Sequence, residues 1–500
     1  MHKFDIFYCT KTPFNNLIFI LVLIVLGLIY SGCLEEDTFL DPTEELSFSL
    51  DTVRFDTVFT SIGSATRSVR LINNSNENIS LSSIRFESNE LSKFRMNVDG
   101  NPGESFSDIQ IRANDSLYIF IEVTIDPDEP ISTSPFVITD AILIDGGNIS
   151  QRITLEAWGQ NANYIPNRFN ASTVVRLTCN NNDLIWDDPK PYVIYGIIFI
   201  DSCNIVLPAG ADVYVHGGLA NFNGFITFDG ALFFQKDGKL TSKGTLDDPV
   251  VFQGDRLEDS FRDVEGQWGG IVFQPESGPH SLEHTIIKNS VIGVRADSAA
   301  MLSIDKSQIF NTSSQAVIGQ NAEIKISNSL FHSNGSVALA FDYGGNYEVS
   351  YTTVANYGNQ DPGLVITNFR VVDPNQNLID ILPLKASFTN CIFLGNEEEE
   401  IFYQDALEGM DPEFFELTFQ NCLLKGEELI EDPVFQSFGE SIIWSMPGDS
   451  TFVSRFEDDY HLHPISPALD RAIPIQDITQ DLEENNRDPI NPDIGCYEAQ

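Results

Sequence analysis

A short sequence frame recurs along the second half of the chain and limits the folds that this half can adopt. The frame is an apolar residue, two variable residues, a small residue, one variable residue and a second apolar residue. Its small residues, spaced 22, 22, 23, 39 and 31 apart, are Thr285, Ser307, Ser329, Thr352, Cys391 and Cys422. A repeat near 22 residues is too short for a propeller blade and lacks the leucine-rich consensus. It favours one coil of a parallel β-helix, in which each coil packs only against its neighbours.

The frame also predicts a corner in each coil. Its first apolar residue and its small residue are three positions apart, which breaks the two-residue period of a β-strand. Both side chains can point inward only if the chain turns between them. Asn328, Asn390 and Asn421 directly precede the small residue, and Asn tolerates left-handed backbone. We therefore expect the small residues to stack inside the coils, and the two long spacings to hold loops of roughly 17 and 9 extra residues.

Composition excludes several function classes. The chain has 28 Lys and Arg residues against 73 Asp and Glu residues, a net charge of −45. Such a surface repels phosphate backbones, so we expect no nucleic-acid partner. Apolar residues make up 42% of the 500 positions, which supports a packed core in two or three domains. The sequence contains no P-loop, dinucleotide-binding, nucleophile-elbow or zinc-spaced motif.

Residues 46–160 show short alternating apolar segments separated by turn residues. The clearest segment places Leu117, Ile119, Ile121 and Val123 on one face of an extended strand. About seven short strands in this stretch, with no helical pattern between them, predict an immunoglobulin-like (Ig-like) β-sandwich. The segment resembles the Ig-like modules of Bacteroidota surface lipoproteins, a resemblance that implies a spacer.

The N-terminal sequence predicts that the protein is located in the cell envelope. Basic residues precede a 14-residue apolar run at 17–30, whereas a membrane-spanning helix needs about 20 residues. This pattern is typical of a secretory signal. The run ends in Tyr30-Ser31-Gly32-Cys33, which resembles a bacterial lipobox. The resemblance implies a signal peptide at 1–32 and a lipidated tether at 33–45 that begins with Cys33; the alternative is an ordinary signal peptide with a chance cysteine.

An acidic run follows the lipobox and bears on localisation. Residues 35–37 read Glu-Glu-Asp and resemble the export signal of surface-exposed lipoproteins in Bacteroidota-type bacteria. The alternative is a solvated acidic tether. We expect a protein that is anchored by lipid in the outer membrane, faces outward and is a monomer.

Six short motifs stand out along the chain: Gly244–Phe252, Gly266–Ile271, Asp459–Leu462, Ser466–Asp470, Arg487–Pro489 and Pro492–Glu498. They resemble right-handed parallel β-helix lipoproteins of the Bacteroidota type, which share the pectate-lyase-like superfamily fold. The resemblance covers about 200–500; one departure is Cys496, where Ala is common. It implies an all-β chain, in which a right-handed β-helix at 161–455 follows the sandwich and a closing segment occupies 456–500. The superfamily holds polysaccharide lyases, glycoside hydrolases, epimerases and members of no known activity, so the resemblance specifies a fold only.

One column of side chains is a candidate catalytic site. His284, Lys306, Asn328 and Tyr351 each directly precede the small residue of their coil. If they point outward, they form a column with a spacing of about 4.8 Å that could line a glycan groove. Lys306 would then supply the base that a β-helix lyase needs. The alternative is an ordinary solvent-exposed face.

Two acidic groups could hold Ca²⁺, and no other cofactor is expected. The first is Asp255, Glu258, Asp259 and Asp263, which lack the spacing of a dedicated Ca²⁺ loop, so for them we favour a solvated loop. The second, in the closing segment, comprises Asp458, Asp459, Asp470, Asp488 and Asp493; for it we favour turns and caps. We interpret the run at 397–400 as a solvated turn or the start of a helix.

Two cysteine pairs stand about one coil apart. Cys391 and Cys422 occupy the same frame position, and Cys179 and Cys203 are 24 residues apart. Coil-to-coil spacing lies within disulfide reach, but buried thiols fit the same spacing.

Trp268 is expected in the core or a cap rather than in a sugar platform.

The leading functional interpretation is a non-catalytic binding or adhesion scaffold for glycans on the exposed flank of the β-helix and its loops. The second is a polysaccharide lyase or glycoside hydrolase of the β-helix type. A purely structural surface component is the third.

Overall fold

The computed structural model describes residues 38–59, 66–88, 92–123, 136–160, 162–165, 174–222, 225–257, 262–373 and 378–499. Cys33, the signal peptide, Glu258 and Asp259 lie outside these ranges. The chain divides into two compact units. The first unit comprises 1–54, 64–124 and 138–156, and the second comprises 55–63, 125–137 and 157–500.

Residues 47–160 form two five-stranded sheets. In spatial order the first contains Ser47–Phe48, Arg67–Ile72, Ser116–Val123, Phe94–Val98 and Asn101–Gly103. The second contains Thr52–Phe59, Ile149–Gln160, Phe136–Gly146, Ile79–Phe86 and Ser105–Ile111. Alternate side chains of both sheets are buried, among them Ile119 and Leu81, which is the pattern of a β-sandwich. The Ig-like assignment stays a prediction.

Between 163 and 444 the described residues form a right-handed parallel β-helix whose coils contribute strands to three ladders. Ladder A contains the start of Ile197–Leu207, then Ala231–Phe234, Gly270–Phe273, Val294–Ala296, Val317–Gln320, Leu339–Asp342, Leu364–Thr367 and Ile401–Gln404. Ladder B contains the end of Ile197–Leu207, then Lys239–Lys243, His280–Glu283, Met301–Asp305, Glu323–Ser327, Gly345–Ser350, Leu384–Thr389, Phe415–Gln420 and Gly439–Glu440. Val174–Ile185 extends both ladders at their first strand.

Ladder C completes each coil, and all its pairings are parallel. Its strands are Asn163–Ile165, Tyr192–Tyr195, Asp212–His216, Val250–Gly254, Thr285–Lys288, Gln308–Phe310, Leu330–His332, Thr353–Asn356, Ile392–Gly395, Leu423–Leu424 and Ile443–Trp444. The described part of the second unit also contains three antiparallel hairpins outside the ladders: Gly218–Phe222 with Phe225–Asp229, Phe369–Asp373 with Leu378–Ile381, and Phe452–Ser454 with Asp459–Leu462. The described helical segments are the 3₁₀ turn Pro412–Phe414 and the short α-helix Pro433–Gln436.

The predicted corner is confirmed in every coil that carries the frame. The residue between ladders B and C has a φ between 41° and 56°, inside the left-handed region, at His284, Lys306, Asn328, Tyr351, Asn390 and Asn421. The chain thus turns where the broken strand period required it to turn, and Asn fills half of these positions.

The small residues of the frame stack inside the β-helix, as expected. The backbone N–H of Thr285 donates to Ser307 Oγ at 3.0 Å, and that of Ser307 donates to Ser329 Oγ at 3.2 Å. Cys391 and Cys422 are buried free thiols in the same stack, so the buried-thiol alternative holds for this pair. Cys179 and Cys203, in contrast, form a disulfide.

The two long spacings hold projecting loops. The hairpin at 369–381 lies inside the 39-residue spacing, and the turn at Pro412–Phe414 lies inside the 31-residue spacing. Trp268 is fully buried and its Nε1 donates to the carbonyl of Lys288 at 2.9 Å, which confirms it as a core residue.

The closing segment packs along the outer face of ladder C. Side chains of both parts form one apolar cluster. It contains Leu330, Ala355, Ile392, Leu394 and Leu423 from the ladder, Phe452 just before the segment, and Tyr460, Leu462, Ala468, Ala472, Leu482, Ile494, Cys496 and Tyr497 from the segment. The segment therefore covers a side of the coils, including the corner between ladders B and C.

Candidate functional site

The predicted column is present, but it is not an exposed groove. His284 is 6% exposed, Tyr351 is fully buried and the Lys306 side chain is 14% exposed. The carboxylate of Glu484 explains this, since its Oε1 lies 3.2 Å from His284 Nε2 and 3.3 Å from Lys306 Nζ. The expectation of exposure was wrong because the closing segment lies over the corner, where Glu484 contacts His284 and Lys306.

Asn328 and Tyr351, the last two residues of the column, are buried more deeply, beneath Arg487. The Arg487 guanidinium lies over the Tyr351 ring and donates to Asn328 Oδ1 at 2.9 Å and to the carbonyl of Gly495 at 3.0 Å. The Tyr351 hydroxyl donates to the carbonyl of Ile473 at 2.7 Å. Burial raises the pKa of Tyr351 to about 12. These contacts hold the closing segment and leave no face of Tyr351 for a substrate.

The acidic loop near residue 255 is described only in part. Asp255 Oδ2 lies 2.7 Å from His216 Nδ1, and Asp263 pairs with its neighbour Arg262 at 3.2 Å. Within the described ranges, no group of three or more His, Cys, Asp or Glu residues could hold a metal ion. A Ca²⁺ site that includes Glu258 and Asp259 stays a prediction.

Carboxylates of the closing segment serve as turn and cap groups. Asp493 accepts from the backbone N–H of Asp470 at 2.6 Å and from that of Ala499 at 2.8 Å. Asp488 accepts from the backbone N–H groups of Ile490 and Asn491, both at 2.8 Å. These contacts agree with the structural role that we favoured for this group.

Glu400 departs from the interpretation of its acidic run as a solvated turn. It is fully buried, and its Oε2 accepts from the backbone N–H of Gly363 at 2.9 Å. Its Oε1 is also buried and has no hydrogen-bond partner among the described residues. Burial is the main cause that raises the pKa of Glu400 to about 7. No local pattern distinguishes Glu400 from its three acidic neighbours.

An open groove lies instead on the outer face of ladder B, and we name it the ladder-B groove. It has a volume of about 500 Å³. Four of its side chains are in register on successive strands, Glu323, Asn346, Lys385 and Glu416. Pro383 and Glu413, at the bases of the two long loops, also line it. The coil spacing of about 4.8 Å makes this row an extended binding surface rather than a single point.

The groove presents charges of both signs, with carboxylates in excess. Lys385 Nζ lies 3.1 Å from Glu416 Oε2, and these side chains are 68% and 50% exposed. Solvated ion pairs of this kind contribute little to stability, so both groups can exchange partners with a ligand. Glu323 and Glu413 add two further carboxylates. The lining therefore suits a neutral ligand rich in hydroxyl groups and disfavours an acidic one.

The repeat contained a signal for this groove that the sequence analysis missed. Glu323, Asn346, Lys385 and Glu416 each stand six positions before the small residue of their frame. That offset places them on the outer face of ladder B, whereas the predicted column contains only the residues directly before the small ones.

Residues 269–432 match a family model described as the right handed beta helix region. The fold is a right-handed β-helix. The matched part spans about a third of the chain and includes the whole lining of the ladder-B groove from Ala299 to Glu416. No curated protein matches the chain.

Three solved structures show how distant the structural similarities are. The catalytic unit of the GH87 α-1,3-glucanase from Streptomyces thermodiastaticus is 8% identical, with 76% of this chain and 86% of that chain covered and a TM-score of 0.25. XylC in complex with xylose is 10% identical, with 93% and 92% covered and a TM-score of 0.28. The periplasmic chaperone SfaE is 10% identical, with 23% and 58% covered and a TM-score of 0.16. The chain thus spans just over half of the chaperone, and scores this low carry no argument about function.

Proposed function

We propose that the protein is a glycan-binding scaffold whose β-helix holds neutral polysaccharide chains in the ladder-B groove. The observation that carries this proposal is the row of Glu323, Asn346, Lys385 and Glu416 in register across consecutive strands. A linear polymer of similar sugar units can meet such a row repeatedly, because each coil offers a polar side chain at the same height. Carboxylates and the Lys385 ammonium can accept from and donate to its hydroxyl groups.

The burial and ion pairing of Lys306, the proposed base, favour binding over lyase chemistry. Lys306 is largely covered and paired with Glu484, so a substrate would first have to displace the closing segment. A uronate would also meet a groove in which three carboxylates face one ammonium group. These features weaken the lyase alternative.

A glycoside hydrolase is the second candidate, since hydrolysis of a glycosidic bond needs a pair of carboxylic acids. Glu323, Glu413 and Glu416 line the same groove and supply the residue type that this reaction requires. The candidate predicts new reducing ends from a neutral glycan.

We further propose that Cys33 carries a lipid anchor and that the protein faces outward from the outer membrane. The lipobox-like end of the apolar run and the acidic residues 35–37 support this address. Thioether-linked diacyl and amide-linked chains bury enough CH₂ groups for stable anchoring. Within the described ranges, no helix is both long and apolar enough to cross a bilayer.

The experiment uses purified residues 34–500, which keep all described residues, with a panel of neutral and acidic polysaccharides in the presence and absence of Ca²⁺. Binding is followed by retardation in glycan-containing gels, and cleavage by reducing ends and by unsaturated-uronate absorbance. We expect a neutral glycan to retard the protein without forming product. New reducing ends would establish the hydrolase candidate instead. No retardation by any glycan would overturn the proposal.

A further inference from the structure

The outer face of the first sandwich sheet carries exposed aromatic side chains where a β-sandwich normally presents polar ones. In the strand Ser116–Val123, burial alternates, so Leu117, Ile119 and Ile121 point into the core while Tyr118 and Phe120 point outward. The two aromatic residues are 45% and 41% exposed. Strand alternation thus explains their direction, but packing within this unit does not explain their type.

The two rings are stacked. Their centroids are 6.0 Å apart and their planes differ by 16°. Because Tyr118 and Phe120 belong to the same strand and point the same way, the rings stand one after the other along it. Two side chains of this size expose a broad apolar area that is rigid, since each has only two side-chain torsions.

A cleft of about 700 Å³ adjoins this surface, and Phe120 forms part of its wall. Asn97 lies directly opposite Phe120 on the neighbouring strand and also lines the cleft. Its Oδ1 is buried and accepts no hydrogen bond from the described residues. A buried acceptor without a donor is costly unless a ligand or water supplies one. The cleft therefore combines an aromatic wall with an unused acceptor.

Charges at the cleft restrict its ligand further. Arg95 faces Glu122 across the two strands, and Glu104 adds a second carboxylate. The carboxylates exceed the single guanidinium, as they do over the whole chain, so an anionic ligand is disfavoured. A neutral sugar ring meets every requirement: its C–H face can stack on an aromatic ring, and its hydroxyl groups can donate to an amide oxygen.

We infer that this cleft, with the Tyr118–Phe120 surface, is a second binding site for neutral glycans on the N-terminal unit. The unit would then be a binding module in its own right rather than a spacer. Since this inference concerns a different unit from the ladder-B groove, either site can fail without the other.

The test measures the affinity of purified residues 34–500 for neutral oligosaccharides by calorimetry, with uronate oligosaccharides as the comparison. Phe120→Ala is expected to weaken binding about tenfold, as for the loss of one stacked ring. Asn97→Leu should also weaken binding while the melting temperature of the protein stays equal or rises, because the variant removes an unsatisfied buried acceptor. Leu50→Ala is the matched control, since Leu50 is an exposed apolar residue of the same unit, 49% exposed and outside the cleft.

A groove-blocking variant, Asn346→Trp, separates this inference from the proposed function. Retained binding in Asn346→Trp that is lost on adding Phe120→Ala supports the sandwich site. Unchanged affinity in both Phe120→Ala and Asn97→Leu overturns it, even if Asn346→Trp abolishes binding. Stronger binding of uronates than of neutral sugars at this site would also overturn it.

Discussion

The guanidinium carbon of Arg487 lies 3.8 Å from the centroid of the Tyr351 ring, and neither side chain has more than 2% of its surface exposed. Arg487 comes from the closing segment and Tyr351 from the corner between ladders B and C. Arg487 also approaches the carboxylate of Glu498, with Nη1 3.4 Å from Oε2. This stacked and paired cation joins the closing segment to the β-helix.

Arg487→Met is predicted to loosen the closing segment strongly. The substitution leaves the Glu498 carboxylate buried without its cationic partner, a change that costs about 3–5 kcal/mol. Hydrogen exchange of residues 473–498 measures the free energy of opening. Arg487→Lys should restore little of this free energy, because an ammonium group cannot stack as a planar group and lacks the forked donors of a guanidinium. Unchanged exchange protection in Arg487→Met would contradict the assigned role, and Arg471→Met is a control on the same segment.

Glu400 is predicted to make the protein less stable as the pH rises through neutrality. Its pKa is raised from 4.5 to about 7, so the folded state keeps a proton that the unfolded chain has already released. Between these pH values the unfolded state binds fewer protons, and stability therefore falls as the pH rises. At about 1.4 kcal/mol per pH unit, the loss approaches about 3 kcal/mol by pH 7.

The Glu400→Gln variant tests this assignment. Its amide oxygen can still accept from Gly363, but the side chain no longer titrates. The free energy of unfolding of the native protein, relative to the variant, should drop between pH 4.5 and 7. A difference that stays constant over this range would show that Glu400 does not titrate as described. The neighbouring Glu398→Gln is the control and should leave the slope unchanged.

The corner residues are predicted to tolerate glycine better than a β-branched residue. Asn421 has a φ of 50°, and its Nδ2 donates to the carbonyl of Arg471 at 2.8 Å. Asn421→Gly and Asn421→Val both lose this hydrogen bond. The difference between their free energies of unfolding therefore measures the cost of the left-handed backbone. Left-handed geometry should make the Val variant less stable by about 1–2 kcal/mol in thermal or urea unfolding.

Thr418 supplies the matched control for the corner, because it is exposed in an extended strand of the same coil. There the order should reverse, and Thr418→Val should be more stable than Thr418→Gly. The same order at both positions would contradict the corner assignment.

The corner could be predicted from the sequence because it depends only on the two-residue period of side chains in a strand. A three-residue step cannot keep two side chains on one face of a strand, so each frame had to contain a turn. The stack of Thr285, Ser307 and Ser329 follows from the same argument. These features require only the frame and the known geometry of a strand.

The cover over the column could not be predicted, because it depends on contacts distant in sequence. Glu484 is 178 positions from Lys306, and Arg487 is 159 positions from Asn328. Nothing in either local pattern links them. The burial of Glu400 could not be predicted for a similar reason. Its carboxylate accepts from the backbone N–H of Gly363, and Gly363 belongs to the preceding coil.

The most direct test of the central claim compares glycan retention by three variants of residues 34–500. Asn346→Trp fills the ladder-B groove, Ser303→Trp adds the same side chain at an exposed position of that ladder outside the groove, and Lys306→Ala alters the covered column. All three are made in the Phe120→Ala background, so that the proposed sandwich site does not retain the protein. We predict that Asn346→Trp then loses most of the retention on neutral glycans that Phe120→Ala alone shows. Ser303→Trp and Lys306→Ala should keep it. Loss of retention in Lys306→Ala with full retention in Asn346→Trp would contradict the account.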